Sequence, residues 1–458
     1  MYTGRHMKKR TRKGIALLCA SVIVAGTLVG CANAGAGKEI PEDSEPKVLA
    51  DYVDEQVTGF IQGLENRGVS AEELAEVSPA VGYLAALVVE YRGFICIPDA
   101  EGVGGFAYLY DNAAAAIALS CAGADWYACK IADAMVYAMG HDRSFSDGRL
   151  RNAYMGGDPS DDNGWSYING ERAIKQAGHW KDGQWQEDYY AVSTATGNMA
   201  WAILALCRVA QNAPGDKAAK YLAAAEKAAG FVLSLRSETG GFTGGYEGWD
   251  DGQTRVSYKS TEHNIDIMAA FSSLAALVRE AKPLEAERYR EASDYARTFV
   301  LSMYNGAEHF FYTGTQDDGV TVSCSVLPLD TNTWAILALG GGLEDAGPVM
   351  YFLERNMAVG GGFDFSAGDL DGIWNEGTAH MAVCYKMMGN AAAYERVMEY
   401  LATQTAADGS ITAADRDGVS TGFYVSGADV LWEYNCTTNL GATAWLAFAQ
   451  MGVNPFAS

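Results

Sequence analysis

The sequence predicts an all-α protein, an (α/α)6 toroid of six helical hairpins with short β-hairpin loops at the inner-helix N-terminal end. Three observations predict it. Six strongly apolar helical segments each open on a polar cluster containing an asparagine. Six segments with one apolar and one charged face alternate with them. The links into the apolar segments are rich in Gly and aromatic residues and alternate around Asp-Gly, a hairpin signal.

In chain order, a targeting segment comes first. "MKKRTRKGIALLCASVIVAGTLVGC" has a basic stretch from Lys8 to Lys13 and then an apolar region too short for a comfortable membrane span. It ends in "LVGC", which resembles the lipobox of bacterial lipoproteins. That resemblance implies a signal peptide over 1–30 and a lipid attached to Cys31. Residues 31–47, "CANAGAGKEIPEDSEPK", are small and polar and read as a flexible tether. The expectation is an extracytoplasmic body, residues 48–458, held at a membrane by lipid alone.

That body is large enough for a substantial core. Of 458 residues 49% are hydrophobic and 20% charged, a globular balance. The apolar segments begin "YDNAAAAIALSCA" at Tyr110, "TGNMAWAILALCRVA" at Thr196 and "EHNIDIMAAFSSLAAL" at Glu262. "DTNTWAILALGGG" follows from Asp330, "WNEGTAHMAVCYKMMG" from Trp374 and "TTNLGATAWLAFAQMG" from Thr437. Helices apolar on every face are buried ones. Their partners, such as "DKAAKYLAAAEKAAGFVLSLR" and "EAERYREASDYARTFVLSMY", carry charge on one side only, as does "VLADYVDEQVTGFIQGLENR" at 48–67. An inner ring inside an outer ring satisfies both patterns. All six polar mouths then gather at one end.

Composition narrows the chemistry. The formal charge is −24, and more negative without the basic leader, so nucleic acid and acidic polysaccharides are repelled and a neutral ligand is favoured. Of nine cysteines, those outside the leader and Cys31 are scattered and odd in number, so no disulfide framework can be read. Six histidines without H-E-x-x-H or paired Cys/His spacing give no metal site, and no cofactor is expected. "GDLDG" (Gly368–Gly372) lacks a full calcium loop and reads as a turn. Serine-hydrolase, NTPase and dinucleotide motifs do not occur.

From the tether onward the chain resembles the six-hairpin glycosidase superfamily, on its sixfold hairpins and its acid and aromatic helix mouths. "STEHN", "WNEGTAH" and "GATAWLAFAQMGVNPF" look like a bacterial branch of it. The resemblance implies a substrate lying across the end of the toroid where the inner helices start, with carboxylates doing acid/base work. Related toroids also host polysaccharide lyases, epimerases and terpenoid enzymes.

Glycoside hydrolysis needs one protonated carboxyl and one carboxylate. Glu262 and Glu376 are the expected pair, with Asp330 the substitute for either. Asp111, His263, Asn264, Asp266, Asn332 and His380 are expected around the sugar, with Trp249 and Trp374 stacking on it. Glu262 and Asp266 are four apart and lie above one another on a helix, which raises one pKa. Glu433 lies just upstream of the sixth helix. The expected protein is a monomer that hydrolyses a neutral oligo- or polysaccharide. Two alternatives stay open: a lyase or epimerase acting beside a uronate through Tyr258, Lys259 and His263, and a non-catalytic carbohydrate-binding protein in which first-turn acids merely cap helices.

Overall fold

The computed structural model describes residues 71–97, 105–160, 166–168, 171–174, 176–424 and 430–457. The expected signal peptide, Cys31, the tether and the amphipathic segment 48–67 lie outside the described residues.

The described helices, in order, are α1 (Ala71–Val77), α2 (Pro79–Tyr91), α3 (Leu109–Cys121), α4 (Asp125–Gly140), α5 (Tyr189–Val192), α6 (Thr196–Asn212) and α7 (Lys217–Ser234). Then come α8 (Thr261–Val278), α9 (Pro283–Ser302), α10 (Leu329–Leu339), α11 (Gly347–Met357), α12 (Asn375–Met387), α13 (Ala391–Gln404) and α14 (Leu440–Met451). Helices α3, α6, α8, α10, α12 and α14 form the inner ring. Each packs on the next, and α14 closes the circle on α3. Around them stand α2, α4, α7, α9, α11 and α13. The fold is the (α/α)6 toroid.

Sequence explains both kinds of helix. In α9, Pro283 starts the helix, and Ala286, Tyr289, Ala292, Ser293, Ala296, Phe299 and Val300 are buried at three- and four-residue spacing. Its other face is charged and exposed. In α8, by contrast, every residue from Thr261 to Phe271 is buried, and the Ser260 hydroxyl caps the start by accepting the His263 N–H at 3.2 Å. One outer helix was not legible as such. Pro79–Tyr91 packs on α3 and α14 and supplies the outer helix beside the first inner one. Its mixed, weakly charged sequence gave no clear one-sided pattern.

The mouths are built on a repeated device. The residue just before an inner helix, or at its edge, pairs antiparallel with the loop of the following hairpin: Tyr108 with Ala153, Ala195 with Gly245, Ser260 with Gly314, Pro328 with Ser366 and Trp374 with Ala414. The fourth residue of the helix then pegs the preceding loop. Asn112, Asn264 and Asn332 accept the N–H of Ile95, Phe242 and Phe311, each at 2.8 Å, and donate to the carbonyl four residues back. In α12 and α14 that slot is held by Thr378 and Thr443, which accept from Phe363 and Ile411. Asn375 and Asn439 are therefore not the equivalents of the other asparagines. Asn439 instead caps α14 through the Ala442 N–H at 2.7 Å.

The centre of the toroid is closed by indoles. Trp201, Trp334 and Trp445 are 0–1% exposed and meet with ring centres 5.3 to 6.1 Å apart, Phe456 against all three. The seven described cysteines are all free.

Candidate active site

Aligning the inner helices by their first residues places Tyr110, Glu262, Asp330, Glu376 and Gly441 in the same slot, second in α3, α8, α10, α12 and α14. Three carboxylic acids thus sit on three consecutive inner helices at one height. Ser260 caps α8 in place of Glu262, and α12 has no side-chain cap, whereas Asp330 Oδ1 accepts the N–H of Thr331 in the first turn of α10. All three are buried, with Glu262 and Glu376 1% and Asp330 3% exposed.

Around them the rim brings together most of the expected residues. Asp111 follows Tyr110 on α3, Asp266 lies one turn below Glu262, and His380 lies one turn below Glu376. The Tyr110 hydroxyl donates to Glu376 Oε1 at 2.6 Å, and the Trp445 indole N–H donates to the Tyr110 oxygen at 2.6 Å. His380 Nε2 stands 3.7 Å from the same Oε1. Glu376 Oε2 and Asp111 Oδ1 both lie within 3.2 Å of the point where Gly441 would carry a Cβ. A side chain in that slot of α14 would crowd them, so glycine lets α14 approach.

Burial dominates the electrostatics. It pushes Glu376 up to about 8; the Tyr110 hydroxyl opposes that shift and the Asp330 charge adds to it. Asp111 is pushed well above its usual range by burial and then by Glu376. Asp266 rises through burial and the charges of Glu262 and Asp330, with the Trp201 N–H pulling the other way. Asp330 rises through burial and the charge of Glu262, opposed by the N–H and hydroxyl of Thr331. Burial lowers His263 to about 4 and His380 well below its normal value, so both imidazoles are neutral at pH 7. Among the described residues no Lys or Arg is close enough to shift any of the four raised acids. Inner-helix N-termini favour anions there, by about 0.3–2 kcal/mol each. That is too little to offset the burial of several carboxylates.

Several polar atoms here have no hydrogen-bond partner among the described residues: Asp111 Oδ1, Glu376 Oε2, both ring nitrogens of His263, His380 Nε2 and the Trp374 N–H. Buried polar groups of a folded protein are paired as a rule. Such atoms at one rim are left for solvent or a polar ligand to pair.

Some expected residues are elsewhere or otherwise engaged. The amide groups of Asn264 and Asn332 are spent on loop and helix backbone, so neither is available to a sugar. Trp374 is 0% exposed, packed against Phe365, His380 and Tyr434, and has no open face for stacking. Trp249 is 49% exposed, with the Tyr189 ring 5.7 Å away and at 79° to it. Glu433 points outward and is exposed. Near "GDLDG", Asp364, Asp369 and Asp371 bring carboxylate oxygens within 4.8 Å of one another. Backbone N–H groups of Phe365, Asp371 and Ser420 already bond to Asp364 and Asp371, as in a turn.

Two rim residues escaped the sequence reading. Tyr110 occupies the acid slot of α3, and only the slot-by-slot alignment reveals it. Tyr434, 2% exposed, stacks on Trp374 at 5.5 Å, and its hydroxyl lacks a partner among the described residues. Burial raises that hydroxyl well above its normal range, and the charges of Glu376, Asp330, Glu262 and Asp111 all add to it. A single phenol therefore feels four acids from four helices. No sequence pattern marks it, because it comes from a strand, Leu431–Tyr434, far along the chain.

No protein-family model matches the sequence, and no curated protein matches it. Solved structures do resemble the fold. A glycosidase variant in complex with glucose aligns with a TM-score of 0.56 at 14% identity, covering 84% of this chain and 99% of that one. Cellobiose 2-epimerase from Bacillus thermoamylovorans gives 0.55 at 12% identity, over 86% and 99%. An alpha-amylase from Clostridium perfringens gives 0.50 at 11%, over 79% and 91%. This chain therefore has the six-hairpin glycosidase fold, and the likeness at such identity reaches no further than fold.

Proposed function

We propose that the protein is a glycoside hydrolase acting on a neutral oligo- or polysaccharide with Glu376 and Glu262 as its two carboxyl groups. The observation that carries this is the slot alignment: Glu262, Asp330 and Glu376 project from one height of three neighbouring inner helices, buried and with no cation beside them among the described residues. Glu376, neutral up to about pH 8, suits protonation of the leaving oxygen. Glu262, in the same slot two inner helices away, is the second carboxyl group, which activates water or attacks the sugar. Asp330 stands between them in ring order. Asp111, Asp266, His263, His380 and Tyr434 offer the remaining polar contacts, and Trp249 offers a stacking face on the outside.

The absence of cations among the described rim residues favours a neutral sugar over a uronate. It also weakens the lyase or epimerase alternative, since the Lys259 ammonium is spent on the carbonyls of Thr239 and Gly240 and lies 5.0 Å over the Phe299 ring. Attachment to a membrane through Cys31, an extracytoplasmic location and a monomeric state remain part of the proposal.

The test is a panel of neutral glycans and aryl glycosides with three proteins: wild type, Glu376→Gln and Glu262→Gln. Wild type releases reducing sugar. Glu262→Gln loses turnover on every substrate, while Glu376→Gln recovers on aryl glycosides whose leaving group needs no proton. Full activity in both variants would return the acids to a purely structural role.

A further inference from the structure

The hydrogen-bond directions around Glu376 fix more than its position. An indole N–H only donates, so Trp445 can only give its proton to the Tyr110 oxygen. The single Tyr110 proton is then directed to Glu376 Oε1. Oε1 is held as an acceptor whether Glu376 is charged or neutral. The exchangeable proton of the neutral acid therefore belongs on Oε2.

Oε2 has no partner among the described residues, and neither does Asp111 Oδ1, which shares its place against Gly441. Every other group facing Glu376 leaves that arrangement in place. His380 approaches Oε1 rather than Oε2. Asp330, from α10, acts on Glu376 through charge alone. Tyr434 feels Glu376, Asp330, Glu262 and Asp111 through charge, and its hydroxyl donates to no described group. Gly441 of α14 and its cap Asn439 lie against this place, and neither is titratable.

We propose that Trp445 and Tyr110 form a positioning relay that confines proton exchange at Glu376 to Oε2, so that a ligand oxygen is received between Oε2 and Asp111. The ligand group is a hydroxyl or glycosidic oxygen of a sugar. The carboxyl O–H bond at Oε2 breaks as the proton passes to that oxygen, and the electron pair stays on the carboxylate, whose Oε1 still accepts from Tyr110. Tyr110 and Trp445 touch the acid and not the reacting atoms; they are positioning residues. The substrate side of this inference rests on the hydrolase reading, but the relay itself does not.

The experiment therefore has an arm without substrate. Glutamate labelled with 13C at the carboxyl carbon is followed by NMR against pH, and Glu376 is assigned by the signal lost in Glu376→Gln. Tyr110→Phe keeps the ring and removes the donor, and Trp445→Phe frees the Tyr110 hydroxyl to turn away. A bond to Oε1 favours the charged carboxylate, so its loss must move the Glu376 titration to higher pH, more in Tyr110→Phe than in Trp445→Phe. An unmoved titration in both variants, with melting temperature retained, overturns the relay. Should Tyr110→Phe fail to fold, Trp445→Phe decides by the same criterion. With a cleavable sugar in hand, Tyr110→Phe should lower kcat roughly 10–100-fold with KM nearly constant, and move the basic limb of the rate profile upward. A change in KM alone would contradict the relay. Absence of any cleavable sugar would count against the hydrolase reading and leave the titration result standing.

Discussion

The protein buries charge in two places and treats it in opposite ways. Beside the long loop, Arg151 is 0% exposed and fully paired: its guanidinium donates to both oxygens of Asp142 at 2.6 and 2.9 Å, to Asp250 at 2.5 Å and to the Val192 carbonyl at 3.0 Å. Asp250 in turn accepts from Arg143 and Ser144, each at 2.6 Å. At the rim, five acids converge with no described cation, and Asp111 Oδ1 and Glu376 Oε2 have no hydrogen-bond partner among the described residues. A chain that can satisfy buried charge so completely at one site has left it unsatisfied at another. The difference separates a clamp, which ties loop 141–151 to loop 245–255, from a site arranged for something that arrives from outside.

The two regions should therefore break differently. The largest effect belongs to the rim: Glu262→Gln should lower kcat roughly 10²–10⁴-fold while the melting temperature changes little, since the amide keeps the shape of the buried side chain. Steady-state kinetics and a thermal melt on the same sample check this. The clamp should show the reverse. Arg151→Ala leaves Asp142 buried without its cation and Asp250 with Arg143 alone, and should cost about 3–5 kcal/mol in urea unfolding, through the loop and not through chemistry.

pH sharpens the contrast. The Glu376 carboxyl titrates near 8 in the folded chain against an ordinary 4.5, so the native state holds a proton that the unfolded chain has lost. Stability falls as pH rises across that window and is unaffected below it. Asp250 is held below its ordinary value by Arg151, Arg143 and Ser144 against the pull of burial. Its contribution is present above about pH 4 and is lost as the solution is made more acid. Melts from pH 3 to 9 should decline at both ends; Glu376→Gln makes the fall between about pH 4.5 and 8 shallower, the rest of it belonging to Asp111, Asp266 and Asp330, and Asp250→Asn lowers stability at neutral pH and flattens the acid side. The smallest effect belongs to Trp249. Trp249→Ala should leave stability within about 0.5 kcal/mol and raise KM several-fold, if sugars stack on that indole. An unchanged KM would remove Trp249 from the binding surface.

Much of this was legible in sequence because it depends on short-range pattern. Six all-round apolar runs announced the inner ring, and the acids at their openings were visible as residues out of place. Pro79–Tyr91 was missed because an outer helix packed at the ring's closure need not carry a strongly charged face. Asn264 looked like a ligand and is a peg, since an amide at the fourth helical position can bridge loop and helix with both ends. Trp374 looked like a platform, and its burial depends on Phe365 and Tyr434, which reach it from other segments. Tyr110 and Tyr434 were invisible for the same reason: their meaning lies in which acid they face across the ring.

The most direct test is a leaving-group series. Aryl glycosides of graded leaving-group acidity are cleaved by wild type and by Glu376→Gln, and the ratio of their kcat/KM values is measured along the series. If Glu376 protonates the departing oxygen, the ratio shrinks toward one as the leaving group grows more acidic. A ratio that stays constant, or that equals one throughout, would contradict the account of the rim.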